Sequence, residues 1–348
     1  YFSNKGMKIP DELEEEIEEV MDSGKINELT AVNDKIGTSE IATELLDEYV
    51  YFFRKNFEED LERLNRDDFV VAVDTANGAT SVVADKVFTV LGIKHHILND
   101  SPNGININDG CGSTHLEMLK QYVIDKKCSL GIAYDGDGDR CLAVDENGNE
   151  IDGDKIIAII SQYLKSKGKL NKDTIVATVM SNLGLNKYAK QNELNFVQTK
   201  VGDRYVLEEM LKNGYNLGGE QSGHVICLDY NPTGDGILTS LMIIRAILEQ
   251  GKKASEVASI MKAYPQVLIN AKVSSDKKYD FDKDEEIKSA IEKLNKEFDG
   301  NGRVLIRASG TEPLVRVMIE GEDQDYIKQK AQAIANLIEQ KLGDGAKK

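Results

Sequence analysis

Residues 69–78 read FVVAVDTANG, an apolar run that ends in a polar turn. A short run rich in β-branched residues and followed by Asn-Gly is typical of a buried strand. The next residues predict a helix over 79–91 and a second strand over 94–98. A strand, a helix and a strand in this order are typical of an α/β domain.

The same layout recurs later in the chain. Residues 174–184 read TIVATVMSNLG, a strand and a turn that precede a predicted helix over 185–191 and a strand over 196–199. Asn77 and Asn182 occupy matching places in the two turns. The repetition predicts two domains with the same α/β topology. Two unrelated strand–helix units would produce a similar pattern, and that alternative stays open.

Beyond Pro265 the order of elements changes to strand, helix, strand, strand, helix. These elements are predicted over residues 267–273, 284–298, 304–306, 314–319 and 323–342. The order predicts a small α+β domain at the C-terminus. The fold class is therefore α/β, with tandem α/β domains followed by a small α+β domain.

Composition limits the classes of function. The 348 residues are 41% hydrophobic and 30% charged, which is typical of a soluble globular protein of two to four domains. The net charge of −17 argues against a nucleic-acid-binding surface. No apolar run approaches the ~18 residues of a membrane span, and we expect no signal peptide. We therefore expect a cytoplasmic protein with reduced cysteines and no nucleic-acid or membrane partner.

The apolar residues 129–134 are followed by the segment DGDGDR. Alternate residues of an extended segment face the same way, so the side chains of Asp135, Asp137 and Asp139 can converge on one point. Three hard oxygen ligands describe a site for Mg²⁺ or Ca²⁺. Arg140, which follows them, is suited to grip a phosphate. The segment therefore predicts a divalent cation and phosphoryl chemistry.

Three other interpretations fit part of this segment. A Gly-rich acidic string is often only a solvated turn. An EF-hand loop, and hence a non-catalytic Ca²⁺-binding module, would use the three Asp and Glu146, but Arg140 stands where that loop requires Gly. An aspartyl-phosphate phosphatase would use Asp135 as its nucleophile and would leave Asp139 and Arg140 unexplained.

A second polar loop over residues 218–224 reads GGEQSGH. Glu220, Ser222 and His224 stand at alternate positions and can present their side chains on one side. A carboxylate and a hydroxyl are good partners for sugar hydroxyls, because one accepts and the other both accepts and donates. A Gly-rich hairpin turn with a polar rim is the alternative.

A third loop over residues 307–313 reads RASGTEP, with Arg316 beyond it. Ser309, Gly310 and Thr311 can offer backbone N–H and hydroxyl groups to one anion. Arg307 and Arg316 would add charge-assisted hydrogen bonds. These features favour a phosphate-binding loop over a hairpin whose Ser and Thr cap their own backbone.

In this order, DGDGDR, GEQSGH and RASGTEP resemble the α-D-phosphohexomutase superfamily over essentially the whole chain. Gln221 and the run NINDGCGSTH over residues 106–115 are similar to the branch that acts on glucosamine phosphates, whereas members that act on mannose or glucose phosphates typically carry Met in place of Gln221. The resemblance implies α/β domains with a mixed sheet between helices. It also implies the following boundaries: 1–40 for a remnant of domain 1 and a linker, 41–149 for domain 2, 150–262 for domain 3 and 263–348 for domain 4.

The resemblance further implies an isomerase that interconverts glucosamine 6-phosphate and glucosamine 1-phosphate through a phosphoserine and a 1,6-bisphosphate. This activity lies on the path to UDP-N-acetylglucosamine and the bacterial cell wall. A phosphomannomutase/phosphoglucomutase is the nearest alternative. The implied ligands are one Mg²⁺, a hexosamine phosphate and a sugar 1,6-bisphosphate.

The implied residue roles fall on the three loops and one further segment. Asp135, Asp137 and Asp139 would hold Mg²⁺ together with the phosphoserine. The residues implied in catalysis are Arg140, Lys200 and Asp203. The residues implied in substrate binding are Glu220, Ser222, His224, Arg307, Ser309, Gly310, Thr311 and Arg316.

One motif of the superfamily does not occur in this sequence. The nucleophilic serine lies in TASHNP, and the opening residues YFSNKG resemble sequence a short way downstream of it. We therefore expect a chain that lacks most of the first domain, has no mutase activity alone, and holds its metal weakly or not at all. Any homodimer of the intact enzyme is expected to form through that first domain.

Overall fold

The computed structural model describes residues 3–4, 6–64, 67–310 and 312–343. They form two compact units, each with its own sheets and core. The first unit contains Tyr1–Ser181 and Ala189–Ile260, and the C-terminal unit contains Asn182–Tyr188 and Met261–Lys348.

Two helices precede the first sheet. Helix α1 spans Asp11–Asp22, begins directly after Pro10, and buries none of its residues. Helix α2 spans Glu44–Glu62 and buries Phe53, Phe57 and Leu61 on one face. The aromatic side chains of α2 therefore anchor this part of the chain to the first unit.

The first sheet has five strands in the order β2-β1-β3-β4-β5. The strands are β1 (Val70–Asp74), β2 (Lys94–Leu98), β3 (Leu130–Tyr134), β4 (Cys141–Asp145) and β5 (Glu150–Ile151). Strands β2, β1 and β3 are parallel, whereas β4 and β5 are added antiparallel. Two helices accompany this sheet, α3 (Ala84–Val90) and α4 (Glu117–Lys126). The strands β1 and β3 are almost wholly buried, as their apolar runs predict.

The second sheet repeats this plan with four strands in the order β7-β6-β8-β9. The strands are β6 (Thr174–Thr178), β7 (Asn195–Thr199), β8 (Leu217–Gly219) and β9 (Val225–Cys227). Strands β7, β6 and β8 are parallel and β9 is antiparallel. The helices are α5 (Gly153–Ser166), α6 (Leu183–Gln191), α7 (Asp203–Asn213), α8 (Gly236–Gln250) and α9 (Ala254–Ala258). The predicted repetition of one α/β topology is therefore confirmed, and the sheets are mixed.

The C-terminal unit has an antiparallel sheet in the order β10-β12-β11. Its elements are β10 (Gln266–Lys272), α10 (Glu285–Phe298), β11 (Gly302–Ala308), β12 (Leu314–Gly321) and α11 (Gln324–Leu342). The predicted α+β order is confirmed. The separate core of this unit includes Val315, Val317 and Ile319 from β12 and Ile327 and Ile338 from α11.

The structure differs from the sequence expectations in several places. The helix predicted over 79–91 is divided into a 3₁₀ turn at Ala79–Val82 and the shorter α3. The sequence predicted neither α4 nor α7. The cysteines Cys111, Cys128, Cys141 and Cys227 are buried and free, in agreement with reduced thiols. Among the described helices, none is both long and apolar enough to cross a membrane.

Candidate active site

The acidic loop and the GEQSGH loop occupy equivalent positions in the two repeated sheets. The acidic loop connects β3 to β4, and the GEQSGH loop connects β8 to β9. In each sheet this is the turn at which the parallel strands give way to an antiparallel strand. The two loops meet in the first unit, where Arg140 and His224 form an isolated β-bridge.

The acidic loop is held in shape by its own backbone. The N–H groups of Gly138 and Arg140 donate to Asp135 Oδ1 at 3.2 and 3.1 Å. Gly138 has φ +79°, and a Cβ there would lie 2.7 Å from Thr80 Cγ2, so the turn requires glycine. Asp135, Asp137 and Asp139 each contribute one carboxylate oxygen to a group whose members lie within 4.8 Å of one another. The structure thus brings the three predicted metal ligands together.

This arrangement fits a hard divalent cation. Asp139 Oδ1 is buried and has no hydrogen-bond partner among the described residues. Burial, with the neighbouring Asp137 and Asp139, raises the pKa of Asp135 despite the hydrogen bond from Arg140. Crowded carboxylates of this kind are stabilised by a bound cation, and their oxygens are the donors that Mg²⁺ prefers.

Arg140 extends from the end of the acidic loop. Its Nε lies 3.8 Å from Asp135 Oδ2 and 3.9 Å from Asp139 Oδ1. The side chain is 45% exposed, so the guanidinium also faces solvent. It can therefore accept an anionic ligand while it remains next to the carboxylates.

The GEQSGH loop does not present its three polar side chains on one side. Glu220 Oε1 accepts a hydrogen bond from the N–H of Gly202 at 3.1 Å, and Ser222 is exposed. His224 is 2% exposed and lies inside the protein. The reason is Gly223, whose φ of +95° turns the chain and ends the alternation that an extended segment would have. The sequence expectation of a common side is wrong for His224.

The segment with Lys200 and Asp203 lies at the start of α7. Lys200 is exposed, with its ammonium 5.9 Å from the ring centre of Tyr205. Asp203 is partly buried and forms an ion pair with Lys8. Its Oδ2 also lies 3.6 Å from His224 Nε2. The structure therefore places Asp203, but not the Lys200 ammonium, in contact with a residue of the GEQSGH loop.

Sequence reasoning missed Asp74, a fully buried carboxylate at the end of β1. Its oxygens accept hydrogen bonds from Ala76 N at 2.9 Å, Asn99 Nδ2 at 2.9 Å and Gly112 N at 2.9 Å. The bond from Gly112 ties β1 to the run over residues 106–115, which packs against Gly136 of the acidic loop. The sequence did contain a signal that could have identified Asp74, because a charged residue stands there at the end of an otherwise apolar strand.

The RASGTEP loop belongs to the C-terminal unit. Arg307 and Arg316 stand opposite each other on β11 and β12, and the Nε of each is buried without a hydrogen-bond partner among the described residues. Burial, and then the charge of Arg316, lowers the pKa of Arg307. Ser309 is buried at the beginning of the turn, Gly310 is exposed, and Thr311 lies outside the described residues. Two adjacent guanidinium groups of this kind favour a bound anion.

A further cation, Lys278, reaches this loop. Its Nζ donates to the carbonyl oxygens of Ser309 at 3.0 Å and Gly310 at 3.1 Å. Lys278 lies far from the loop in sequence and in no motif, so the sequence did not indicate this contact.

Family models of phosphoglucomutase/phosphomannomutase match three successive parts of the chain. Alpha/beta/alpha domain II matches residues 47–148, alpha/beta/alpha domain III matches residues 152–264, and the C-terminal domain matches residues 268–337. Curated relatives are similar over almost the whole chain. The phosphoglucosamine mutase of Clostridium botulinum (strain Kyoto) is 52% identical over 345 residues, which cover 98% of this chain and 75% of the relative. The chain belongs to the phosphoglucosamine mutase family.

A second member of the phosphoglucosamine mutase family, from Acetivibrio thermocellus, is 51% identical over 343 residues, which cover 99% of this chain and 75% of the relative. Solved structures share the fold at lower identity. A phosphoglucomutase/phosphomannomutase family protein of Burkholderia thailandensis has a TM-score of 0.74 at 20% identity, over 98% of this chain and 72% of that chain. N-acetylphosphoglucosamine mutase of Aspergillus fumigatus, solved with GlcNAc-6P and magnesium, has a TM-score of 0.66 at 22% identity, over 83% and 65% of the two chains.

Proposed function

We propose that this chain forms the metal-binding, sugar-binding and phosphate-binding parts of a phosphoglucosamine mutase, which interconverts glucosamine 6-phosphate and glucosamine 1-phosphate. The observation that carries the proposal is the junction of the acidic and GEQSGH loops. Besides the bridge between Arg140 and His224, the N–H of Cys141 donates to Gly223 O at 3.0 Å. A triad of carboxylates thus lies beside a loop that is suited to sugar hydroxyls.

In this proposal the GEQSGH loop binds the sugar. Glu220 accepts hydrogen bonds from sugar hydroxyls, and the exposed Ser222 both accepts and donates. The sugar must present first one end and then the other for transfer, so a loop that tolerates two orientations of the hydroxyls suits the reaction. Asp203 and Lys200 would hold or move a proton at the reacting sugar hydroxyl.

Arg140 would bind the phosphoryl group that is transferred. Asp135, Asp137 and Asp139 would hold Mg²⁺, which when bound neutralises phosphoryl charge and orients the group. In the C-terminal unit, Arg307, Ser309, Gly310, Thr311 and Arg316 would bind the phosphate that stays on the sugar. That contact supplies binding energy and orientation at a distance from the reacting atoms.

Isothermal titration of the 348-residue chain with sugar phosphates in the presence of Mg²⁺ tests the proposal. We expect glucosamine 6-phosphate to bind more tightly than mannose 6-phosphate or glucose 6-phosphate. Glu220→Gln should weaken binding about tenfold, since a hydrogen bond to a charged group contributes about 1.5–3 kcal/mol. Glu256 is exposed, so Glu256→Gln is the control and should leave the affinity for glucosamine 6-phosphate unchanged.

Other outcomes of the same titration favour other functions. Preference for mannose or glucose phosphates would favour a phosphomannomutase/phosphoglucomutase. Tight Ca²⁺ binding that no sugar phosphate alters would favour a calcium-binding module. Trapping of an aspartyl-phosphate mimic on Asp135 would favour a phosphatase.

We also expect no conversion of glucosamine 6-phosphate by this polypeptide alone, because the serine motif TASHNP does not occur in it. Conversion by the purified polypeptide would contradict this expectation. The domain boundaries, a homodimer of the intact enzyme and a cytoplasmic location stay predictions.

A further inference from the structure

Asp235 is a buried carboxylate directly before α8. It is 7% exposed, and its Oδ1 accepts a hydrogen bond from the N–H of Leu238 at 2.9 Å, which caps the helix. The hydroxyl of Tyr49 in α2 donates to Asp235 and lies 2.9 Å from Oδ1 and 3.0 Å from Oδ2. Asn231 Nδ2 donates to Oδ2 at 3.4 Å. Because Asn231 and Leu238 belong to the same short segment as Asp235, it is the bond from Tyr49 that joins this segment to α2.

The ring of Tyr49 is held in place by the buried face of α2. Its centre lies 4.8 Å from that of Phe53, and the two rings meet edge to face at 88°. Phe53 is fully buried in the first unit. The hydroxyl of Tyr49 therefore reaches Asp235 from a part of α2 that the core fixes.

The start of α8 is seated on the backbone of the acidic loop. The N–H of Gly236, the first residue of α8, donates to Gly138 O at 2.8 Å. A Cβ at Gly236 would lie 2.7 Å from Arg140 O and 2.9 Å from Gly138 O, so this approach requires glycine. One turn further on, the hydroxyls of Ser240 and Tyr134 are 2.9 Å apart. Tyr134 directly precedes the loop, so α8 contacts the acidic loop at its beginning, middle and end.

The backbone that α8 holds also determines where the carboxylates lie. The N–H groups of Gly138 and Arg140 donate to Asp135 Oδ1, and Asp139 stands between them in sequence. Residues 236–247 of α8 are all buried. Close-packed interiors transmit strain, so a displacement of the first turn of α8 would move the backbone on which the three carboxylates converge.

We propose that Tyr49 is a positioning residue for the acidic loop: its hydrogen bond to Asp235 sets the first turn of α8, and that turn holds the backbone of Gly138 and Arg140. Resting on the proposed function, this makes α2 part of the support of the carboxylates that would hold Mg²⁺. Tyr49 lies outside the three loops, so their motifs do not indicate this role.

Amide hydrogen exchange, followed by NMR of the metal-free 348-residue chain, tests the contact itself. We expect Tyr49→Phe to speed exchange at Gly138, Arg140 and Gly236 about tenfold, while the amides of β6 exchange as in wild type. Tyr122→Phe is the matched control, because it removes a hydroxyl of the first unit whose partner, His96 Nδ1 at 3.1 Å, lies in β2. The control should leave the amides of the acidic loop unchanged.

A conservative variant separates positioning from a loss of stability. Asp235→Asn keeps an oxygen that can cap α8, and its amide can donate to the hydroxyl of Tyr49. We therefore expect exchange at Gly138 and Arg140 to stay within about threefold of wild type in this variant. Equal acceleration throughout the chain in Tyr49→Phe would indicate general destabilisation and would overturn the proposal. Unchanged loop amides in Tyr49→Phe, or rapid exchange of Gly236 in the unaltered chain, would overturn it as well.

Mn²⁺ binding, measured by electron paramagnetic resonance, extends the test to the metal site. We expect Tyr49→Phe to weaken Mn²⁺ binding about three- to tenfold, which is less than the roughly 10–100-fold typical of a group bonded directly to a metal ligand. Asp137→Asn is the control that removes a proposed ligand. Equal Mn²⁺ affinity of wild type and Tyr49→Phe, with loss in Asp137→Asn, would refute the role of Tyr49 at the metal and leave the proposed function standing. Absence of Mn²⁺ binding by the wild-type chain would contradict the metal site of the proposed function, whereas the exchange measurement decides the role of Tyr49 in either case.

Discussion

Arg245 shows how one buried charge is accommodated in the first unit. Its guanidinium carbon lies 4.7 Å from the ring centre of Phe57 and 5.0 Å from that of Tyr163. Its nitrogens donate to Asp60 Oδ2 at 2.9 Å and to Tyr230 Oη at 3.1 Å. The residue therefore joins α2, α5 and α8 through both charge and ring contacts.

We expect Arg245→Ala to lower the free energy of unfolding by about 2–3 kcal/mol, through lost packing and cation–π contacts. Asp60 is 47% exposed, so water can solvate it after the change and limit the loss. The matched control is Arg54→Ala, which removes an exposed pair with Glu58 and should leave the free energy of unfolding almost unchanged. Urea unfolding followed by circular dichroism measures both, and equal losses would contradict the buried role.

The contact of Lys278 with the RASGTEP loop gives a second prediction about a single residue. Because its ammonium engages the carbonyl oxygens of Ser309 and Gly310, Lys278→Met should let those carbonyls turn towards the proposed phosphate. We expect five- to tenfold weaker binding of glucosamine 6-phosphate by titration calorimetry, about 1 kcal/mol. Lys277→Met, at the neighbouring position, should bind as wild type does. Loss in both variants would indicate a general effect of charge.

The sequence predicted the candidate metal ligands from their alternation, although the loop that carries them is a turn and not an extended segment. Asp135, Asp137 and Asp139 were predicted from spacing alone, and they do converge. His224 was misplaced because Gly223 takes a positive φ, which spacing does not reveal. Lys278 was missed because its contact depends on tertiary structure.

At the scale of elements, strands were easier to predict than short helices. The buried strands β1 and β3 give continuous apolar runs, and the bounds of the partly exposed β2 also agree with the prediction residue by residue. Helix α4 buries only Leu119 and Val123, which is too little periodicity to distinguish from a loop. Helix α7 begins at Asp203 after Gly202 and buries only Val206 and Met210, which again is too little periodicity to predict a helix.

Glu146 connects the two repeated parts of the first unit. It follows β4 and accepts hydrogen bonds from both the N–H and the hydroxyl of Ser255 in α9. Burial alone would raise the pKa of Glu146, but the hydrogen bonds from Ser255 and from its own N–H, together with the charge of Lys253, outweigh burial and lower the pKa. The stability that this group contributes is therefore present above the unfolded pKa of about 4.3 and is lost as pH falls through the folded value.

We expect Glu146→Gln to lower the free energy of unfolding by about 1 kcal/mol near pH 7, and this loss should shrink as the pH falls through the lowered folded pKa and the wild-type carboxylate becomes protonated. Ser255→Ala should lower the free energy of unfolding by less than Glu146→Gln does, because the backbone N–H at position 255 can still donate to Glu146. Thermal unfolding of both variants and of the double variant between pH 7 and pH 3 measures the coupling. A difference between wild type and Glu146→Gln that does not shrink as the pH falls would argue against the ionised contact.

At the scale of the whole molecule, the two units have separate cores. Ile319 lies fully buried in the core of the C-terminal unit, and Ile132 lies fully buried in the first sheet. A core Ile→Ala change costs about 2–5 kcal/mol, because it removes apolar contacts and leaves a cavity. The cost should be confined to the unit in which the cavity forms.

We therefore expect Ile319→Ala to speed amide exchange in β10–β12 while β1 and β3 exchange as in wild type. Ile132→Ala should give the reverse pattern. Hydrogen exchange with mass spectrometry distinguishes the two. Acceleration throughout the chain by either variant would show that the units unfold together.

The equivalent placement of the acidic and GEQSGH loops has a consequence for redesign. Each loop closes a hairpin between a parallel and an antiparallel strand at the rim of its sheet. Because the two hairpins are bridged at Arg140 and His224, a change of ligand chemistry at one rim also reaches the other. A new specificity is thus expected to require changes in both hairpin turns together, whereas the strands on either side need not be altered.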